Sequence, residues 1–272
     1  MTRSDYLART LLAATCVAGA LMTTDVTTAR AQERTSFNWT GQLGSGRTVY
    51  LRNVNGEVRI EQGTGSTVEV SAEKRWRRGD PADVLSEARA TGSGDVLICA
   101  LFTERATCDE SGYHGNNDRD NRWDRNNDVS VHFVVKVPAT ARVDASTVNG
   151  DLTIEGTSGD IEARTVNGDL EARSTSGRVE ASTVNGGITV RTSLSKTSGV
   201  EYSTVNGSIT IELDANSAVD VDLSTVNGRI SSDFPMTLDG TINPRRIRAK
   251  IGAGGPSLRA KTVNGSIRIR KL

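Results

Sequence analysis

Aromatic residues make up only 4% of this 272-residue sequence, which also holds just 3 cysteines, 5 prolines and 2 histidines. So few rings exclude an enzyme packed around aromatic side chains and suit a chain of short strands and tight turns. Net charge is lacking as well, because Lys plus Arg and Asp plus Glu both number 33. Without a global field, neither nucleic acid nor an anionic membrane surface is expected as a partner. Long apolar runs are also missing: the stretch from Leu11 to Met22 falls well short of the ~20 residues that span a bilayer.

That short apolar run has a different meaning in its context. Arg3 and Arg9 make a basic start, and Ala29-Arg30-Ala31 offers the small-x-small pattern that signal peptidase accepts. Residues 1–31 therefore read as a cleaved secretory signal, while Cys16, preceded by Ala13-Ala14-Thr15, fits lipidation poorly. The mature chain would have no membrane span and would be periplasmic, cell-surface or extracellular. It would keep two cysteines, Cys99 and Cys108, in a compartment where disulfides persist, so a bridge between them is expected.

What the sequence has in abundance is repetition. Thr-Val-Asn-Gly recurs with its last two residues at Asn149-Gly150, Asn167-Gly168, Asn185-Gly186, Asn206-Gly207, Asn227-Gly228 and Asn264-Gly265, and Asn55 sits in a related Asn-Val-Asn-Gly. The steps between the six are 18, 18, 21, 21 and 37 residues. A second corner, Thr-Ser-Gly, falls between copies at Ser158, Ser176 and Ser198. Between corners run strand patterns such as Leu152/Ile154, Ile161/Ala163, Leu170/Ala172 and Ile188/Val190, with Glu155, Glu162, Glu171, Arg173 and Arg191 on the opposite face.

Asn-Gly between alternating apolar residues is a strong hairpin signal, so an antiparallel meander competes. A meander, however, has no reason to restore the same corner at every second turn, whereas a solenoid stacks each corner on its own copy. The expected fold is all-β, a right-handed parallel β-helix-like solenoid with coils of about 18–21 residues. Within it Val148, Val166, Val184, Val205 and Val226 are expected to fill an inner edge, and the corner glycines to supply positive φ. Glu155 should stack on Arg173, Arg173 on Arg191, and Glu162 toward Glu180, giving a solvated face of mixed charge.

The run STVNGDLTIEG followed by TSGDIEARTVNGDLEARSTSGRVEASTVNG resembles the bacterial putative adhesin family, a domain of unknown function built of β-strand repeats with Asn-Gly and Ser-Gly corners. The resemblance covers roughly residues 45 to 272. It implies a solenoid located outside the cytoplasm and brings no catalytic residues with it.

Three divisions follow: the signal at 1–31, an N-terminal β region at 32–140 and solenoid repeats at 141–272. Within the second, 82–91 leans toward strand, and 109–128 is a polar loop without apolar period. Asp118, Asp120 and Asp124 match calcium-loop positions 1, 3 and 7, but Trp123 and Val129 stand where that loop needs Gly and Glu. His114 and His132 show no spacing suited to a Ser-His-Asp site. No cofactor, metal or catalysis is expected. Eight of the ten mature aromatics precede residue 134. Phe37, Phe102 and Phe133 suit capping of a solenoid end, and Tyr113 and Trp123, with Arg119, Arg122 and Arg125 as a polar rim, are the candidate partner-binding residues. The reading is an adhesin-like structural or interaction module that contacts a cell-surface or envelope protein or glycan. A carbohydrate-active enzyme of β-helix type and an envelope-associated sensory or scaffold protein are the alternatives.

Overall fold

Each repeat alternates one apolar with one polar residue, so each segment forms a strand with one buried and one wet face. A computed structural model describes residues 35–115, 127–174, 176–194, 199–239 and 243–272. Two sheets, of 10 and 11 strands, face each other across a single apolar core that runs unbroken through position 140. One strand from each sheet makes a rung, and rungs stack in parallel register as the solenoid requires.

In spatial order the rungs are these. Rung 1 is Val96–Leu101 with Ser130–Val137, and rung 2 is Thr48–Arg52 with Val58–Gln62. Rung 3 is Arg142–Ser146 with Leu152–Thr157, and rung 4 is Ile161–Arg164 with Leu170–Ser174. Rung 5 is Val179–Ser182 with Ile188–Arg191, and rung 6 is Val200–Ser203 with Ile209–Leu213. Rung 7 is Ser257–Asn264 with Ile267–Lys271, and rung 8 is Val219–Asn227 with Ile230–Ser232. The expected outward columns are present: Glu155 pairs with Arg173, Arg173 with Arg191, Arg191 with Glu212, and Glu162 with Glu180.

Chain order and spatial order part company at both ends. Rung 7, the last in sequence, lies between rungs 6 and 8, so Ile209 pairs with Ile267 and Ile267 with Ile230. The 21-residue step from Asn206 to Asn227 is therefore not a stacking step, and this corrects the in-order solenoid expected above. At the other end, rung 1 is laid outside rung 2, which precedes it in the chain. The reversals are made by antiparallel strands. Thr67–Arg75 pairs with Ser130–Val137, and Ser36–Gln42 pairs in turn with Thr67–Arg75. Leu85–Ala90 closes the other sheet beside Val96–Leu101, after a 3-10 turn at Pro81–Asp83. At the C-terminal end Arg246–Ile251 runs antiparallel to rung 8, and Met236–Leu238 covers it. Phe133 is buried near the N-terminal end, with Phe37 and Phe102 packed partly buried against the same core.

In a solenoid built in chain order, removing the last rung leaves its neighbours intact, because each contacts only the next. Here rung 7 holds two others together. Truncation after Pro256 is expected to collapse hydrogen-exchange protection at Val219–Asn227 and Arg246–Ile251 while rungs 3 to 5 keep theirs. Unchanged protection at 219–227 would mean that rung 8 restacks on rung 6 in chain order.

Candidate functional site: the stacked corner and the disulfide-tied loop

The corner is built from four residues with four separate tasks. Threonine points inward: Thr165, Thr183, Thr204 and Thr262 are 4–5% exposed. Each donates its hydroxyl to the corner glycine carbonyl one rung earlier in the stack, Thr165 to Gly150 (3.1 Å), Thr183 to Gly168 (3.2 Å), Thr204 to Gly186 (3.0 Å) and Thr262 to Gly207 (2.9 Å). A buried hydroxyl thus finds an acceptor without leaving the core. In rung 2 Asn53 stands in the threonine position, and its amide already donates to Gly56 O and Val131 O. Thr147 above it is accordingly left without a partner among the described residues.

Valine points outward. Val148, Val166, Val184, Val205, Val226 and Val263 are 37–51% exposed and line up as a ridge, which overturns the expected inner edge of valines. The inward place is already taken by threonine. Asparagine forms a ladder of side-chain amides: Asn149 Nδ2 donates to Asn55 Oδ1, Asn167 to Asn149, Asn185 to Asn167, Asn206 to Asn185, Asn264 to Asn206 and Asn227 to Asn264, all at 2.7–2.9 Å.

Glycine is required for a reason other than the one expected. Gly150 and Gly168 have φ of 159° and 158°, at the border of ordinary extended backbone, and Gly186, Gly207, Gly228 and Gly265 are not among the positive-φ glycines. What excludes a side chain is the neighbouring rung. A Cβ at Gly150 would run into the carbonyl of Gly56, at Gly168 into that of Gly150, at Gly186 into that of Gly168, at Gly207 into that of Gly186, at Gly265 into that of Gly207 and at Gly228 into that of Gly265. The Ser-Gly corners repeat the device, with Gly177 over the Gly159 carbonyl.

The second feature grows from the outer face of rung 1. Along Val96–Leu101 the inward residues Val96, Ile98 and Ala100 join the main core, while Leu97 and Cys99 form a small outer cluster with Cys108, flanked by Tyr50 and Leu101. Cys99 and Cys108 are disulfide-bonded, with Cα atoms 6.3 Å apart. Sequence reasoning missed the residue that seats this loop. Arg52, its side chain 4% exposed, makes a bidentate pair with Asp144 (2.8 and 3.0 Å) and donates to the Glu110 carbonyl (2.6 Å), with the Tyr50 ring 5.5 Å from its guanidinium carbon. The signal was the arginine placed directly before the atypical Asn-Val-Asn-Gly corner, but an outward position alone does not reveal that a loop covers it.

Within the loop, Tyr113 is part-buried, pairs with Cys108 and accepts the Phe102 N–H through its hydroxyl (3.2 Å). Asp109 accepts the Ser111 hydroxyl, the Ser111 and Gly112 amides and a contact from His114, and these hydrogen bonds hold its carboxyl well below the usual carboxylate range. Asp128 accepts the amides of Arg77 and Arg78 (both 2.8 Å). Trp123, Arg119, Arg122 and Arg125 lie outside the described residues, as do the signal segment and the acidic residues weighed for calcium. His132 lies on the outer face of its strand, 3.1 Å from the Ser130 hydroxyl. Burial, reinforced by Arg75, lowers its pKa. The Ser130 hydroxyl has the Arg75 carbonyl as an acceptor at 3.2 Å, so its proton is not committed to the imidazole as a nucleophile–base pair needs. Among the described residues, no group of His, Cys, Asp and Glu could hold a metal ion, and no helix is long and apolar enough to cross a membrane.

Stacked parallel corners, a threonine–glycine seam and antiparallel ends define a β-solenoid repeat domain. The chain belongs to the Toastrack DUF4097 family, whose model matches residues 47–270. Among solved structures it is similar to a putative cell adhesion protein from Clostridium sporogenes, at 10% identity over 87% of this chain and 100% of that one, TM-score 0.46. It is also similar to a putative adhesin from Bacteroides fragilis, at 13% identity over 87% and 97% of the two chains, TM-score 0.37. A third, a putative adhesin from Parabacteroides distasonis, shares 12% identity over 86% and 97%, TM-score 0.33. A comparison with curated proteins gives no match.

If approach distance and not φ demands glycine, Gly168→Ala should already cost about 1–3 kcal/mol by overpacking against the Gly150 carbonyl. Gly46 makes the control, since it has φ of 70° but open space around its Cβ, so Gly46→Ala should cost only the ~1 kcal/mol of a left-handed backbone. Urea melts of both variants check this, and a Gly168→Ala protein as stable as its parent would refute the seam.

Proposed function

We propose that the chain is an exported, adhesin-like, non-catalytic interaction module of the cell envelope, which presents the loop at 109–128 to a cell-surface or envelope protein or glycan. The observation that carries the reading is how the segment is held. Asp109–Gly112 is closed on itself by hydrogen bonds, seated by Arg52 and tied by Cys108, and Asp128 is fastened to Arg77 and Arg78. The described residues on either side of 116–126 are therefore two fixed posts at one end of a stiff solenoid. Long polar loops on rigid scaffolds are the usual place for recognition residues. The middle rungs carry exposed ion pairs on their outer faces, which favour solubility over selective capture. The basic, apolar and small-x-small start of the sequence and the disulfide support export. In this reading Trp123 is the anchor, Arg119, Arg122 and Arg125 form the rim, and Tyr113 contributes its ring edge while its hydroxyl serves the loop.

The test uses the mature chain against envelope fractions and a glycan panel, with glycan hydrolysis followed in parallel. Replacing 116–126 by a Gly-Ser linker of equal length, or Trp123→Ala alone, should weaken binding about tenfold or more. The melting temperature should stay unchanged, because both posts are kept. Full binding by the linker variant would rule the loop out, and turnover of any glycan would favour the carbohydrate-active alternative.

A further inference from the structure

The Asn-Gly dipeptides of the ladder share one latent reaction. The glycine amide nitrogen attacks the asparagine Cγ, the N–Cγ bond forms as the Cγ–Nδ2 bond breaks, and ammonia leaves with the amide proton. Water then opens the resulting succinimide at either carbonyl, giving aspartate or isoaspartate. The reaction needs a glycine nitrogen not engaged in a hydrogen bond and an asparagine side chain free to turn back on its own backbone. Asparagine lability of this kind is suppressed wherever the fold locks both groups.

Six of the seven corners lock the glycine nitrogen. Gly56 N donates to Asn149 O, Gly150 to Asn167, Gly168 to Asn185, Gly186 to Asn206, Gly207 to Asn264 and Gly265 to Asn227, at 2.8–3.1 Å. Every acceptor belongs to the next rung in the stack. At rung 8 there is no next rung: the antiparallel strand Arg246–Ile251 covers rung 8, Thr225 N still reaches the Arg245 carbonyl, and beyond this point Gly228 N has no partner among the described residues. Gly228 is also exposed, whereas Gly150, Gly168, Gly186, Gly207 and Gly265 are intermediate and Gly56 is buried. Asn227 is held by a single ladder bond, to Asn264, and receives none in return.

We infer that Asn227-Gly228 is a built-in site of spontaneous deamidation, the one ladder position whose glycine nitrogen has no hydrogen-bond partner among the described residues. Conversion places a carboxylate opposite Asn264 Oδ1, an acceptor facing an acceptor, and isoaspartate also lengthens the backbone by one methylene. Both changes cut the last rung of the ladder and loosen the C-terminal end, while the corners beneath stay intact.

The polarity of the stack sharpens the inference. Asn55 ends the ladder at the other side, and its Nδ2 lacks a ladder acceptor, yet Gly56 N is bonded to Asn149 O. General fraying at ladder ends would make Asn55 and Asn227 react alike, whereas a free glycine nitrogen singles out Asn227.

The experiment incubates the whole mature chain at mildly alkaline pH and measures aspartate and isoaspartate at each of the seven asparagines by peptide mass spectrometry, with a parallel incubation in denaturant. In the native protein position 227 should convert at least about tenfold faster than 55, 149, 167, 185, 206 and 264, since those must first open locally. In denaturant all seven should convert at similar rates. Comparable native rates at 55 and 227, or a fastest site inside the ladder, would overturn the inference. Asn227→Gln serves as the second variant. It should remove the fast product without creating a new fast site at 264, and a fast site appearing at 264 in a rung 8 that retains its amide protection would equally overturn it.

Discussion

Everything in this solenoid depends on how closely two backbones approach at the Asn-Gly corner. With only a hydrogen on each glycine, the carbonyl of one rung sits where the next rung's Cβ would have been, and the threonine hydroxyl bonds to that same carbonyl. Glycine and threonine are thus two halves of one seam: the first permits the approach, and the second satisfies the acceptor that the approach buries. Once that seam is set, register follows. A slip by one residue would bring Val onto Thr and turn every strand's apolar set toward water.

The core accommodates itself to this register. The inward column of one sheet runs from Leu51 through Ala145, Ala163, Ala181, Tyr202 and Ala260, in which a row of alanines is interrupted by one large ring. Tyr202 is fully buried, and burial pushes its hydroxyl pKa far up, so it stays neutral and acts as filler in a column of alanines. Its hydroxyl oxygen has no partner among the described residues, a cost the packing of the ring must offset.

Much of this was legible from sequence, because a repeat exposes its own logic: the period excluded a meander, and the stacking of Glu155, Arg173 and Arg191 followed from an 18-residue step. The valines were misplaced although the parity was available. Counting by twos from Val143 through Ala145 reaches Thr147, not Val148, and the error came from giving the apolar residue precedence over the period. The glycines were explained by torsion, whereas what crowds a side chain there is a neighbour from another rung, which one chain segment read alone cannot reveal. The insertion of rung 7 left only one trace, the step of 37 after Asn227, and the role of Arg52 left almost none, since it exists only once the disulfide loop folds over it.

The ends decide what such a stack can do. Parallel rungs would present unpaired edges and invite further copies to add on. Three of the four sheet edges instead finish in antiparallel strands, and the outermost pieces at the C-terminal end, Met236–Leu238 and the parallel Ile230–Ser232, are three residues long. At the opposite edge Trp39 folds its ring over Gly41 on Ser36–Gln42, which fills the gap of a glycine in an edge strand. Arg246, Arg248 and Lys250 alternate along the strand that covers rung 8, placing charge where an edge would otherwise be flat and apolar. Growth by adding rungs is therefore discouraged at each end by a different device. What remains open to contact is the two sides of the stack and the loop beside rung 1, and the sides are not uniform in charge, because residues 243–272 carry nine Lys and Arg and no Asp or Glu, which makes the C-terminal rungs basic where the middle rungs are mixed.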